Sequence, residues 1–277
     1  GLSAARALPA WQTQHAFNTP QPGVDIATVL RAERGVVLFV DTFNGYFESG
    51  NAKAAYQVLE AAGYTVHVAH RPDQHLCCGR TYLASGMVDQ ARAQLRTLID
   101  YVLPLAQRGV PIVGLEPSCL LTLRDEALQL GLGEAAQTVA QHALLWEEFL
   151  DREHQAGRLE TLRTRLTPAQ APFLLHGHCH QKAFDLVSPI QRVLALIPQS
   201  STTLIETSCC GMAGSFGYDA NHQDVSMAMA RLSLLPTIEK HPDAWVVADG
   251  TSCRHQIDHG AKRQALHVAQ VLALHLS

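Results

Sequence analysis

Two vicinal cysteine pairs, Cys77-Cys78 in LCCGRTY and Cys209-Cys210 in SCCGMAGSFG, are each followed by glycine, and each is trailed at nearly the same distance by a lone cysteine, Cys119 in EPSC and Cys253 in GTSC. A cysteine that only fills a core has no reason to recur beside another, whereas thiolate sulfur is the preferred ligand of iron–sulfur clusters and of zinc. The duplication therefore reads as two thiolate metal sites. The seventh cysteine, Cys179, lies in HGHCH, where His176, His178 and His180 alternate. In an extended strand those histidines share one face and Cys179 takes the other, so they read as local hydrogen-bonding or pocket-lining groups rather than ligands of one metal. His255 and His259, which follow Cys253 at helical spacing, read as residues that tune or shield such a site.

The glycines of GMAGSFG, Gly211, Gly214 and Gly217, match neither the dinucleotide fingerprint nor a P-loop. Gly211 and Gly214 are instead candidate cofactor-binding positions, where glycine permits close backbone approach and amides near a cluster raise its potential. The aspartates and glutamates form no paired catalytic arrangement, and no catalytic residue is expected.

The elements that must position the cysteines repeat. GVVLFVD (35–41), YTVHVAH (64–70) and PIVGL (111–115) read as strands, separated by a helix that stops at Gly63 and a longer one over about 85–107 with a kink at Pro104. PFLLH (172–176), TTLIE (202–206) and AWVVAD (244–249) repeat the order around helices opened by Ser188-Pro189 and over about 221–239. The expected fold is α/β, two pseudo-repeated β-α-β-α-β lobes with mainly parallel sheets, since strands alternating with helices need right-handed crossovers. The expected organisation is an N-terminal extension or linker over 1–34, a first lobe over 35–131, a helical connector over 132–167, and a second lobe over 168–277. In such sheets the loops at the carboxyl ends of the strands line the binding crevice, and the cysteines fall in those loops.

At 277 residues, 47% of them hydrophobic, the chain can bury a sizeable core, and a formal charge of −4 gives no footprint for nucleic acid. No apolar stretch reaches the length of a transmembrane helix, and the first residues lack the pattern of an export signal. An odd number of cysteines gathered in vicinal pairs suits a reducing compartment better than a disulfide framework. The expected location is the cytoplasm, free or peripheral to the inner membrane. A start at Gly1 and a proline- and glutamine-rich opening through about Gly23 are what a piece of a longer protein would show.

These residues together resemble the CCG, or cysteine-rich, domain family, found in heterodisulfide reductase B-type subunits and in iron–sulfur subunits of glycolate and lactate oxidation systems. More narrowly, FVDTFNGYF, LCCGRTYLASG, GLEPSCLLTLRDE, HGHCHQKA, CCGMAGSFGY and DGTSCRHQI are similar to the C-terminal part of fused flavin and iron–sulfur dehydrogenases of D-2-hydroxyacids such as D-lactate or D-2-hydroxyglutarate. The family's fullest motif has one cysteine after the first strand, then Cys-Cys-Gly, then Cys-x-x-Cys. Cys179, Cys209, Cys210 and Cys253 match it, with Gly250 at the start of the last pair, so the resemblance implies a four-thiolate 4Fe-4S cluster in the second lobe. In the first lobe Thr42 and Glu116 stand at two cysteine positions. Cys77, Cys78 and Cys119 then make a degenerate site, a labile one, or one completed from elsewhere, for instance by His75, Asp41 or Glu116.

The function implied is an electron-transfer module that takes electrons singly from a reduced flavin and relays them to a downstream acceptor. The partners implied are upstream flavin and ferredoxin-like domains or an FAD-bearing subunit, which leaves this chain catalytically incomplete alone. Two further readings stay open. Four thiolates also close a tetrahedral zinc site, as in a zinc-stabilised binding or assembly module, and zinc can substitute in isolated protein. A thiol–disulfide protein using a vicinal pair ranks last, because adjacent cysteines close a strained ring.

Overall fold

The Val-rich run after Gly35 has no polar side chain to turn outward, which suits a strand covered on both faces. It forms β1 (Gly35–Phe39), and Val36 through Val40 are at most 2% exposed. In this computed structural model, which describes residues 1–17, 23–71 and 73–277, β1 is flanked by β2 (Thr65–Ala69) and β3 (Ile112–Gly114), with β4 (Ala143–Leu145) beyond β3. Residues 18–22 of the proline- and glutamine-rich opening lie outside the described residues. Every pair is parallel; Val37 pairs with His67 on one side and Ile112 on the other. The helix Val88–Ala106 buries Ala91, Leu95, Leu98, Ile99, Val102 and Leu105, the stripe its spacing dictates, and Pro104 falls in its last turn.

The second half repeats the plan with β5 (Phe173–Leu175), β6 (Thr202–Leu204), β7 (Trp245–Val247) and β8 (Ala265–Leu266), again all parallel, in the order β6-β5-β7-β8. The α/β class and the pseudo-repeat stand as expected, with a fourth strand added to each sheet. In each half the chain leaves the central strand to one side and returns on the other. The loops after the central strand and its two neighbours therefore meet at a topological switch point.

Three expectations are corrected. The stretch 132–167 is not helical throughout: QHALLWEEFL looks helical locally, but Ala143–Leu145 extends because β3 offers a free edge, with Val113 pairing Leu144. The helix expected over 221–239 is two, Gln223–Leu232 and Leu234–Glu239, broken at Ser233. Pro236 has no N–H for the Leu232 carbonyl and its ring would strike that turn. The 1–34 segment is also not one extension: Trp11–Thr164 is one unit, whereas Gly1–Ala10 belongs with Arg165–Ser277 in the other. There Ser3 N–H donates to the Tyr218 carbonyl at 2.7 Å and Ala220 N–H to the Gly1 carbonyl at 2.9 Å.

Candidate metal centre

Each Cys-Cys-Gly folds by the same local rule. Gly79 N–H donates to Cys77 Sγ at 3.4 Å and Arg80 N–H to Cys78 Sγ at 3.5 Å. In the second copy Gly211 N–H donates to Cys209 Sγ at 3.3 Å and Met212 N–H to Cys210 Sγ at 3.5 Å. The turn needs positive φ at the glycine, +74° at Gly79 and +86° at Gly211. A Cβ there would meet a carbonyl oxygen of a later helix, Ala91 of Val88–Ala106 at 2.7 Å or Ser226 of Gln223–Leu232 at 2.3 Å. Glycine is thus fixed by backbone conformation and packing under a helix. Gly214 also has positive φ, +59°, but faces open space.

In the second lobe, Cys179 opens the short helix Cys179–Ala183 after β5, Cys209 and Cys210 follow β6, and Cys253 is the third residue of the helix Thr251–Ala261 after β7. Cys179 and Cys209, Cys209 and Cys210, and Cys210 and Cys253 are close enough to perturb one another's protonation. Cys210 and Cys253 are 2% and 1% exposed, and both belong to a buried cluster with Leu174, Met212, Leu234 and Ile257. Their burial fits core packing as well as ligation, so burial alone decides nothing.

What distinguishes the two lobes is the charge around the sulfurs. Lys182 Nζ donates to the carbonyls of Thr207 and Ser208, at 2.6 and 2.8 Å, and interacts electrostatically with all four second-lobe thiols. The hydrogen bonds that Cys179 and Cys210 give to Cys209 and Cys253 hold those two acceptors below the ordinary thiol range; His178 and, for Cys253, His176 add to this. Cys179 and Cys210 are correspondingly pushed up, each by its bond to Cys209 first. In the first lobe all three thiols rise. Cys77 is raised by its bond to Cys78, and Cys78 by its bond to Cys119. Cys119 is lowered by Cys78, but burial and the Asp41 and Glu116 carboxylates outweigh this and push it up to about 12. Asp41 and Glu116 are 2% and 3% exposed. Two of the four second-lobe thiols are thus held low, whereas all three first-lobe thiols are pushed up.

Of the fourth ligands considered for the first lobe, His75 Nε2 is hydrogen-bonded to Thr42 Oγ1 at 2.8 Å. Asp41 caps the helix Thr42–Tyr46 through Phe43 N–H and Asn44 N–H, and Glu116 accepts from Ser118 Oγ at 2.8 Å. All seven cysteines are free thiols. Among the described residues, His176, Cys210 and Cys253 are the group whose ligand atoms all lie within 4.8 Å of one another. HGHCH is not one extended run: β5 stops at Leu175, and His178 caps the helix that starts at Cys179. That break turns His176 toward the thiols, against its reading as a local group. Sequence reasoning missed Lys182 outright, and its only trace was the position three residues after Cys179. His255 bonds Tyr218 Oη at 2.8 Å and stands away from the sulfurs' ligand group.

The model of the cysteine-rich domain (CCG) matches residues 41–124, the lobe with three cysteines. A subunit of the anaerobic glycerol-3-phosphate dehydrogenase of Escherichia coli is 26% identical over 239 residues, covering 86% of this chain and 58% of that protein. D-2-hydroxyglutarate dehydrogenases of Pseudomonas putida and Pantoea ananatis are each 28% identical, covering 91% and 87% of this chain but only 23% and 22% of those proteins. The chain thus spans a little over half of the first relative and about a quarter of the others. Residues 41–124 thus match the cysteine-rich (CCG) domain, and the chain is similar over most of its length to a dehydrogenase subunit and to D-2-hydroxyglutarate dehydrogenases.

Proposed function

We propose that this chain is an iron–sulfur electron-transfer module of a flavin-linked 2-hydroxyacid dehydrogenase, with Cys179, Cys209, Cys210 and Cys253 as the ligands of a 4Fe-4S cluster. The observation that carries the reading is that all four second-lobe thiols stand in the loops and helix starts that follow β5, β6 and β7, with Lys182 Nζ bound to the carbonyls of the Cys-Cys turn. The donor set fits the group: four sulfurs is the usual count, and the two thiolates favoured without a metal need only two further protons to leave. A bound cluster would supply a one-electron carrier in a site that the surrounding residues keep largely dry.

The chain's own residues have definable tasks. Cys210 and Cys253 stand on the buried side, Cys209 and Cys179 on the partly exposed side where a donor or acceptor could approach. Lys182 stabilises negative charge as it builds on the sulfurs and holds the Cys-Cys turn by its carbonyls. The N–H groups of Gly211 and Met212 do the same from the backbone, which raises a reduction potential. The likeness to a dehydrogenase subunit and to D-2-hydroxyglutarate dehydrogenases supports the redox context, with FAD and a ferredoxin-like segment in associated domains or a separate subunit. No described helix is long and apolar enough to cross a membrane, and we place the module in the cytoplasm or at the inner face of the membrane. In the first lobe Cys77, Cys78 and Cys119 form the weaker site, because buried carboxylates oppose thiolate there.

The test is anaerobic reconstitution of the chain with ferrous iron and sulfide. Bound iron and sulfide with broad visible absorbance are expected, and Cys253→Ser should remove most of both. Colourless, iron-free protein would refute the reading. A zinc-stabilised assembly module is the second reading, favoured by the three donors gathered within 4.8 Å, a spacing suited to one ion. Elemental analysis of anaerobically purified protein separates the two.

A further inference from the structure

We propose that His176 is itself a ligand of the second-lobe metal site, binding through Nε2 either one iron of a cluster or a single ion shared with Cys210 and Cys253. The inference rests on the metal-site reading above but goes beyond its four cysteines, and beyond iron, because it concerns a nitrogen donor.

Three observations converge. His176 is 1% exposed, and its Nε2 is buried with no hydrogen-bond partner of regular geometry among the described residues, Cys253 being the group it acts on. A buried polar atom left in that state is costly unless something else satisfies it. Secondly, a ring nitrogen of His176 and the Sγ atoms of Cys210 and Cys253 all lie within 4.8 Å of one another. Tetrahedral bonds of roughly 2.0–2.1 Å to nitrogen and 2.3 Å to sulfur put such donors ~3.6–3.8 Å apart, so the group closes on one ion with small movements. Thirdly, the other ring nitrogen is already committed. Nδ1 lies 3.0 Å from Thr207 Oγ1, and that hydroxyl also accepts from Lys182 Nζ at 2.9 Å. A ligating histidine whose second nitrogen is held by a neighbour has its tautomer and ring orientation fixed. On ligation the imidazole stays neutral: the proton sits on Nδ1, donated to Thr207 Oγ1, and the Nε2 lone pair goes to the metal.

The competing arrangement on the same atoms is Nε2–H donating to a Cys253 thiolate, with no bond to the metal. The experiment separates them on the whole chain in two loadings, ferrous iron with sulfide and zinc alone. In reduced iron-loaded protein carrying 15N-histidine, electron–nuclear spectroscopy should show one strongly coupled nitrogen that shifts with the label. In zinc-loaded protein, X-ray absorption should show an imidazole scatterer. His176→Gln should abolish both signals and weaken zinc binding at least tenfold, while His178→Gln keeps the signals. Thr207→Val, which leaves the ring in place, should weaken zinc binding less than His176→Gln does. Only weak backbone nitrogen couplings in the wild-type protein, signals that survive His176→Gln, or unchanged zinc affinity would overturn the proposal. Zinc with a histidine scatterer but no iron–sulfide uptake would refute the cluster and leave His176 standing. Uptake of neither metal would overturn both.

Discussion

Replacing Gly211 and Gly214 by alanine, one at a time, separates two causes of glycine use within a few residues of each other. Both have positive φ, +86° and +59°, so either alanine pays ~1–2 kcal/mol for a left-handed backbone. At Gly214 nothing else follows, because a Cβ there meets no atom of the described residues within 4 Å. At Gly211 the new Cβ lies 2.3 Å from the Ser226 carbonyl oxygen and 3.0 Å from Met229 Cβ, so either the helix Gln223–Leu232 or the Cys-Cys turn must move. Such overpacking costs a further ~1–3 kcal/mol. Gly211→Ala should therefore destabilise its unit by ~2–5 kcal/mol and Gly214→Ala by only ~1–2 kcal/mol. Urea titration read by hydrogen exchange in peptides from β5 and β7 reports on this unit alone. Because the displaced turn carries Cys209 and Cys210, Gly211→Ala should also lower metal uptake, while Gly214→Ala leaves it near wild type. Equal denaturation midpoints for the two variants would refute the packing argument.

Arg6 is 5% exposed, with Nη1 donating to Met212 Sδ and Gln256 Oε1, each at 2.6 Å, and among the described residues it has no carboxylate partner. Its field reaches Cys210. Arg6→Gln should lower the reduction potential of the second-lobe centre on the order of 50–100 mV, from ~1–2 kcal/mol of charge interaction at an effective dielectric near 20, and a redox titration showing no shift would remove Arg6 from the electrostatics. Asp41 is raised from 3.8 to about 6 by burial, with Glu116 adding to it. A carboxyl whose folded pKa is raised stabilises the fold below its unfolded pKa and loses that contribution as pH climbs through about 6. The stability of wild type relative to Asp41→Asn should accordingly fall by up to ~3 kcal/mol between pH 4 and 7, and a flat difference in denaturant midpoints across that range would contradict it.

The repeated α/β order and the seven candidate sulfurs were legible along the chain, because both are local: apolar runs bounded by turns set strands, and Cys-Cys-Gly carries its own turn in the glycine's φ. The break at Ser233 also has a local cause, since Pro236 has no N–H for the Leu232 carbonyl, although the helical spacing over 221–239 hid it. The remaining features depend on contacts between segments far apart in the chain. Ala143–Leu145 is a strand because β3 presents an open edge to it, which no window of ALLWEEF reveals. His176 joins the thiols because β5 ends at Leu175 and the chain turns before Cys179, a stopping point set by pairing with β6 and β7. The different charges around the sulfurs of the two lobes likewise depend on which side chains distant loops bring together, Lys182 and His176 in one and Asp41 and Glu116 in the other. Charge acts through space over a few ångströms, and spacing along the chain does not report those distances.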